Sequence, residues 1–243
     1  MRAWSGAWST ARPWVRPALI LLAAAVGAQT LVHLVNRFML HTTALDVNQE
    51  YTVFSLGQGL AIAAAALGCA LVLRAGTPPA RALVLAGLLG FLAVDEYFVI
   101  HERFGARATE VLGVSSDWDS VLWPIAYIPL LGLLLLLLFR LARDAPDDIR
   151  RLLVIGVGCL AAAVVLEVLS FPFSTEATAD GLVHALEGAV EEALELMGWG
   201  LLATGTLTWA LTPAWSPAPS GGAGRRAQHE VPARHDARPG AVG

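Results

Sequence analysis

Acids and histidines recur in this chain inside stretches otherwise built from Leu, Ala, Val and Gly. The run AVDEYFVIHERFG carries Asp95, Glu96, His101 and Glu102, and VHALEGAVEEALELMGW carries His184, Glu187, Glu191, Glu192 and Glu195. Glu167, His33, Asn36 and Gln58 add polar groups to other apolar stretches. An ionisable group in an apolar medium is costly unless it is paired, hydrated or bound to metal, so each needs a physical reason to be there. Carboxylates and imidazoles with no thiolate nearby make an N/O donor set suited to Zn, Fe or Mn. No Arg lies at the depth that Asp95, Glu96, Glu167, Glu187 and Glu191 share, so like charges at this density need a counter-cation or protons. A divalent metal is the simplest compensation, with Asp95, Glu96, His101, Glu102, Glu167, His184, Glu187, Glu191 and Glu195 as candidate ligands.

Known metal signatures fit loosely. His101-Glu102 is followed by Arg103, Phe104 and Gly105, which is not HExxH. His184-x-x-Glu187 reverses the Glu-x-x-His order of di-iron bundles. The metal reading therefore rests on chemistry and angular placement. At about 100° per residue, His184, Glu187, Glu191 and Glu195 share one helical stripe, with Glu192 at its border. Asp95 and Glu102, seven residues apart on a continuous helix, would be nearly eclipsed, with Glu96 and His101 diverging to either side. A charged stripe cannot face lipid cheaply, so it is expected to face the interior of a bundle.

Composition says what that bundle is. The 243 residues are 56% hydrophobic and 15% charged, too apolar for a soluble exterior. Six stretches are long enough to cross a hydrocarbon core, which takes about 20 residues. They lie near 17–39, 54–74, 81–103, 121–142, 152–172 and 182–211. The fold class is thus all-α: an integral membrane bundle of six transmembrane helices over 17–211. A short segment, 1–16, precedes it and a Pro/Gly/Arg-rich tail without apolar period, 212–243, follows it, expected to be disordered. Pro124 and Pro129 are expected to kink the fourth helix or set its entry angle.

All 16 basic residues are Arg, which with the Ala-rich helices suggests a bacterial genome rich in GC. Thirteen of them flank the N-terminus, the second and fourth connections and the tail, against Arg37, Arg103 and Arg107 on the other side. The positive-inside rule then places both termini in the cytoplasm and the protein in the inner (plasma) membrane. Trp14 and Trp209 fall at the inner boundary, Trp118 and Trp123 at the outer one. A cleaved signal peptide ending near Ala28 is the competing reading of the N-terminus, but the apolar pattern runs on through Leu34 and Val35. Cys69 and Cys159 stand alone in apolar runs and read as packing residues.

In this topology His33, Gln58, Asp95, Glu96, Glu167, Glu187 and Glu191 converge on one layer, roughly 6 to 15 Å below the outer surface. Three functions follow. A metal-binding protein, and with it a membrane-embedded metalloenzyme, would use the metal to activate water, with Glu191 or Asp95 as base. A proton- or cation-coupled transporter needs a route to both sides, yet the inner halves of these helices carry no charge. An accessory subunit would offer the stripe to a partner helix. The expected partners are the bilayer and a lipid-like or ionic small ligand, not nucleic acid. Ser55 and Ser170, toward the outer ends of the second and fifth helices, are weaker candidate nucleophiles.

Overall fold

Two prolines and a charged turn shape the element that does most to open the interior. Helix α5 (Asp119–Asp144) contains Pro124 and Pro129, each withdrawing one N–H from the helix ladder. Its C-terminal carbonyls are met by Arg150, whose Nε donates to Ala142 O and whose Nη2 donates to Ala145 O, both at 3.0 Å. Arg150 also pairs with Asp147, one turn before it at the start of α6 (Asp147–Ser170). The cation neutralises the negative end of one helix while bracing the acidic first turn of the next. A two-residue turn at 145–146 therefore holds α5 and α6 together at that end.

The computed structural model describes residues 14–45, 52–72, 79–115, 118–170 and 182–211. Besides α5 and α6 these form α1 (Val15–Val35), α2 (Val53–Leu71), α3 (Pro79–Phe98), α4 (Ile100–Leu112) and α7 (Leu182–Leu211). A π-turn over Asn36–Leu40 extends α1 and is closed by the Asn36 side chain, which exchanges hydrogen bonds with Thr42. No strand occurs among the described residues.

Four of these helical stretches are long and apolar enough to cross a membrane: Val15–Leu40, Val53–Leu71, Leu122–Asp144 and Asp147–Leu166. The third expected crossing is not one straight helix. It breaks at Val99 into α3 and α4, bent by 69°, and counts as a fifth crossing only if the pair is taken together. Val99 adopts a left-handed conformation, φ +54°, uncommon for a β-branched residue. The sixth expected crossing, α7, has the length but not the apolarity, because its acids, glycines and threonines dilute its leucines.

Packing explains how α7 tolerates that composition. It lies against α6, α2 and α1, so much of its surface meets protein. Small residues bring the backbones close. A Cβ built on Gly156 of α6 would stand 2.9 Å from the carbonyl oxygen of Gly198, and one on Gly68 of α2 would stand 2.9 Å from the Leu207 nitrogen. Thr206, fully buried, turns its hydroxyl back to Leu202 O at 2.8 Å. Around this seam sits an apolar core of Ile62, Cys69, Leu85, Leu89, Leu138, Leu153 and Leu202. On α3 and α7 those residues lie toward one end of the helix, and Asp95, Glu96 and the α7 glutamates lie toward the other.

Candidate functional site

Asp95 organises the acidic end. It is 4% exposed near the C-terminus of α3 and accepts three hydrogen bonds. The His101 backbone N–H donates to Oδ1 at 2.9 Å and the Tyr127 hydroxyl donates to the same oxygen at 3.0 Å, while His101 Nδ1 lies 3.0 Å from Oδ2. The carboxylate thus caps the first turn of α4 from the preceding helix, where its charge meets the positive end of the helix dipole. This contact explains the sharp bend. Reaching back from His101 to Asp95 requires the chain to fold on itself at Val99, so the eclipsed placement of Asp95 and Glu102 expected for a straight helix does not hold.

The same contact orients the imidazole. With Nδ1 directed at the carboxylate, Nε2 is the nitrogen left to face Glu102, whose Oε1 lies 3.9 Å away. The ring packs on Trp123, centroids 4.6 Å apart, and Trp123 in turn meets Tyr127 edge-on at 5.7 Å. Trp123 therefore belongs to the interior rather than only to an interfacial belt. A carboxylate-held imidazole of this kind can accept a proton or donate a lone pair through Nε2.

A cavity of about 430 Å³ opens beside this pair, in the size range of small-molecule sites. Its lining comes from α2 to α7 and has two distinct ends. At one end stand Ser55, Gln58, Tyr127 and His101 with six carboxyl groups: Asp95, Glu96, Glu102, Glu191, Glu192 and Glu195. At the other, Leu131, Leu134, Leu138, Val157 and Leu160 form an apolar sleeve together with Trp199. Among the described residues no arginine lines it. Gln58, 1% exposed, donates through Nε2 to Glu192 Oε2 at 2.5 Å, tying α2 to α7 across the acidic end.

The structure brings together Asp95, Glu96, His101, Glu102, Glu191 and Glu195 from the expected set. Glu187 is half-buried outside the lining, and His33 is buried in α1, also outside it. The side chains of Glu167, Ser170 and His184 lie outside the described residues. Glu192, placed at the border of the stripe by angle, is in the lining together with Gly188, Glu191, Glu195 and Trp199. The cavity-facing stripe of α7 is thus rotated from the expected one. Among the described residues no three His, Cys, Asp or Glu side chains converge closely enough to hold a metal ion. Their carboxylates surround a space instead of meeting at a point. Tyr127, Trp123 and Trp199 carried little signal in the sequence, although Trp123, Tyr127, Leu131, Leu134 and Leu138 recur at three- and four-residue spacing along one face of α5.

The fold and the site define a helical protein with membrane-length apolar helices and an interior cavity acidic at one end and apolar at the other. The chain belongs to a family described as a domain of unknown function, DUF8692, whose model matches residues 18–210. No curated protein and no solved structure matches it.

Proposed function

We propose that this protein is a multi-pass membrane protein of the bacterial inner membrane that binds a small cationic ligand in its interior cavity. Among the described residues, six carboxyl groups and no arginine in one lining carry this reading. Carboxylates gathered in a low-dielectric pocket repel one another, and a ligand cation relieves that repulsion more than any neutral guest could. The site lies on the outer side of six crossings, both termini being cytoplasmic, as the thirteen-to-three arginine asymmetry supports. The apolar core filling the other end argues for a binding site over a conducting path.

Zn, Fe or Mn is the inorganic form of the same idea. The donor types suit it, but no three-donor set converges among the described residues, so an organic cation is preferred. The test is elemental analysis of protein purified without chelators, combined with calorimetric titration by Mn²⁺, Zn²⁺ and tetramethylammonium. We expect sub-stoichiometric metal and measurable tetramethylammonium binding, weakened about tenfold or more in Glu192→Gln. A chain that takes up none of these cations, and no longer-chain ammonium either, would sink the proposal, and stoichiometric metal would replace the organic cation with the inorganic one.

A further inference from the structure

The two-ended cavity carries more than a charge preference. Its acidic end is walled by the aromatic rings of Trp123 and Tyr127 as well as by carboxylates. Aromatic faces beside anions are the surroundings that hold an alkylammonium group, whose spread charge suits ring faces better than a compact, strongly hydrated metal ion does. From there the sleeve follows α5 from Tyr127 to Leu138, eleven residues or about 16 Å of helix rise. That length and its aliphatic lining suit a hydrocarbon chain, which a small inorganic or methylated cation would leave unmatched.

The lining also reaches the protein surface at two places. Glu102, at the acidic end, has a side chain 52% exposed. Leu135 on α5, part of the apolar sleeve, is 45% exposed, and Ala161 on α6 is exposed as well. Helices α5 and α6 both have the length and apolarity to cross a membrane, so in the proposed bilayer setting this second exposed stretch faces hydrocarbon, not water. A molecule with an apolar tail can enter there without being extracted from the bilayer.

We infer that the cavity binds a single-chain amphiphile with an amine or quaternary ammonium head, seated tail-first against Trp199 and entering laterally between α5 and α6. This rests on the cation-binding reading above and deepens it by naming the ligand class. The head would sit among Glu192, Asp95 and the Trp123 and Tyr127 rings, and the chain along the leucines of α5.

The experiment uses the full chain in lipid nanodiscs and compares three probes: dodecyltrimethylammonium, dodecanol and tetramethylammonium. The long-chain ammonium is expected to bind at least tenfold more tightly than either of the others. In Glu192→Gln the preference over dodecanol should shrink while the preference over tetramethylammonium remains. Ala161→Phe, at an exposed position where folding is not at risk, should weaken the two dodecyl probes and leave tetramethylammonium unchanged. A bromine at the chain terminus should quench tryptophan emission, and that component should vanish in Trp199→Phe. If tetramethylammonium binds as tightly as the long-chain ammonium, the amphiphile inference is overturned and the cation site stands. If dodecanol binds as tightly as the ammonium, the charged head is wrong and the inference fails. If no cation of any length binds, both readings fall together.

Discussion

Asp95 shows how much one side chain can hold in place. Three donors converge on its carboxylate, from the α4 backbone, the His101 ring and the Tyr127 hydroxyl. Asp95→Ala leaves those buried donors without an acceptor, at a cost of about 3 kcal/mol. Asp95→Asn keeps an oxygen for the His101 N–H and Tyr127, and turns an amide toward His101 Nδ1, so its cost is expected to be about 1 kcal/mol. Thermal or SDS denaturation in detergent would read the difference, and equal losses for Ala and Asn would show that the carboxylate is not the anchor. The pairing also constrains chemistry. It commits Nδ1 to Asp95 and leaves Nε2 toward the cavity, so any proton transfer by His101 uses that nitrogen.

At the scale of elements, the α3–α4 bend and the α6–α7 seam are the two devices that make room and close it. Val99 holds the bend in a conformation that disfavours a Cβ, although its side chain is only 4% exposed. Both Val99→Ala and Val99→Gly lose that burial, but only glycine relieves the backbone. Glycine is therefore predicted to be the more stable of the two by about 1 kcal/mol, the reverse of their order in a helix interior. A more stable alanine variant would mean that the bend is not strained. At the seam, Gly156→Ala puts a methyl 2.9 Å from a backbone oxygen that cannot rotate away. The expected loss is about 1 to 3 kcal/mol. Gly87→Ala, on an exposed face of α3 with no atom within 4 Å, should be neutral or stabilising by up to about 1 kcal/mol. Similar unfolding midpoints for the two variants would remove the close approach from the account of α7.

For the whole molecule, the arrangement is asymmetric along the helices. Apolar packing fills the end marked by the 145–146 turn, and the acid-lined cavity occupies the other. Six crossings with cytoplasmic termini would put the cavity in the outer half of the bilayer. Reporter fusions after Leu112 and in the tail beyond residue 212 test this: a periplasm-active reporter is expected to work at the first and a cytoplasm-active one at the second. Activity of both fusions on the same side would show an odd number of crossings between them to be wrong. The outcome bears directly on α7, which must cross despite its weak apolarity if the tail is to lie inside.

Periodicity and composition alone carry the helices. Their positions follow from apolar length, and the wish of buried acids to face one another follows from the cost of charge in hydrocarbon. Six of the nine candidate residues meet at one cavity for that reason. The break at Val99 leaves no mark in straight-helix spacing, because it depends on a hydrogen bond from His101 back to Asp95. Nor does that spacing rotate α7 into its true face. That rotation is set by glycine contacts to α6 and α2 and by the Gln58 bond to Glu192, interactions between residues far apart in the chain. Sequence determined which residues are too polar to face lipid. Tertiary structure decided that they surround a space with an apolar far end instead of closing on a single ion, because only packed helices fix how far apart their side chains stand.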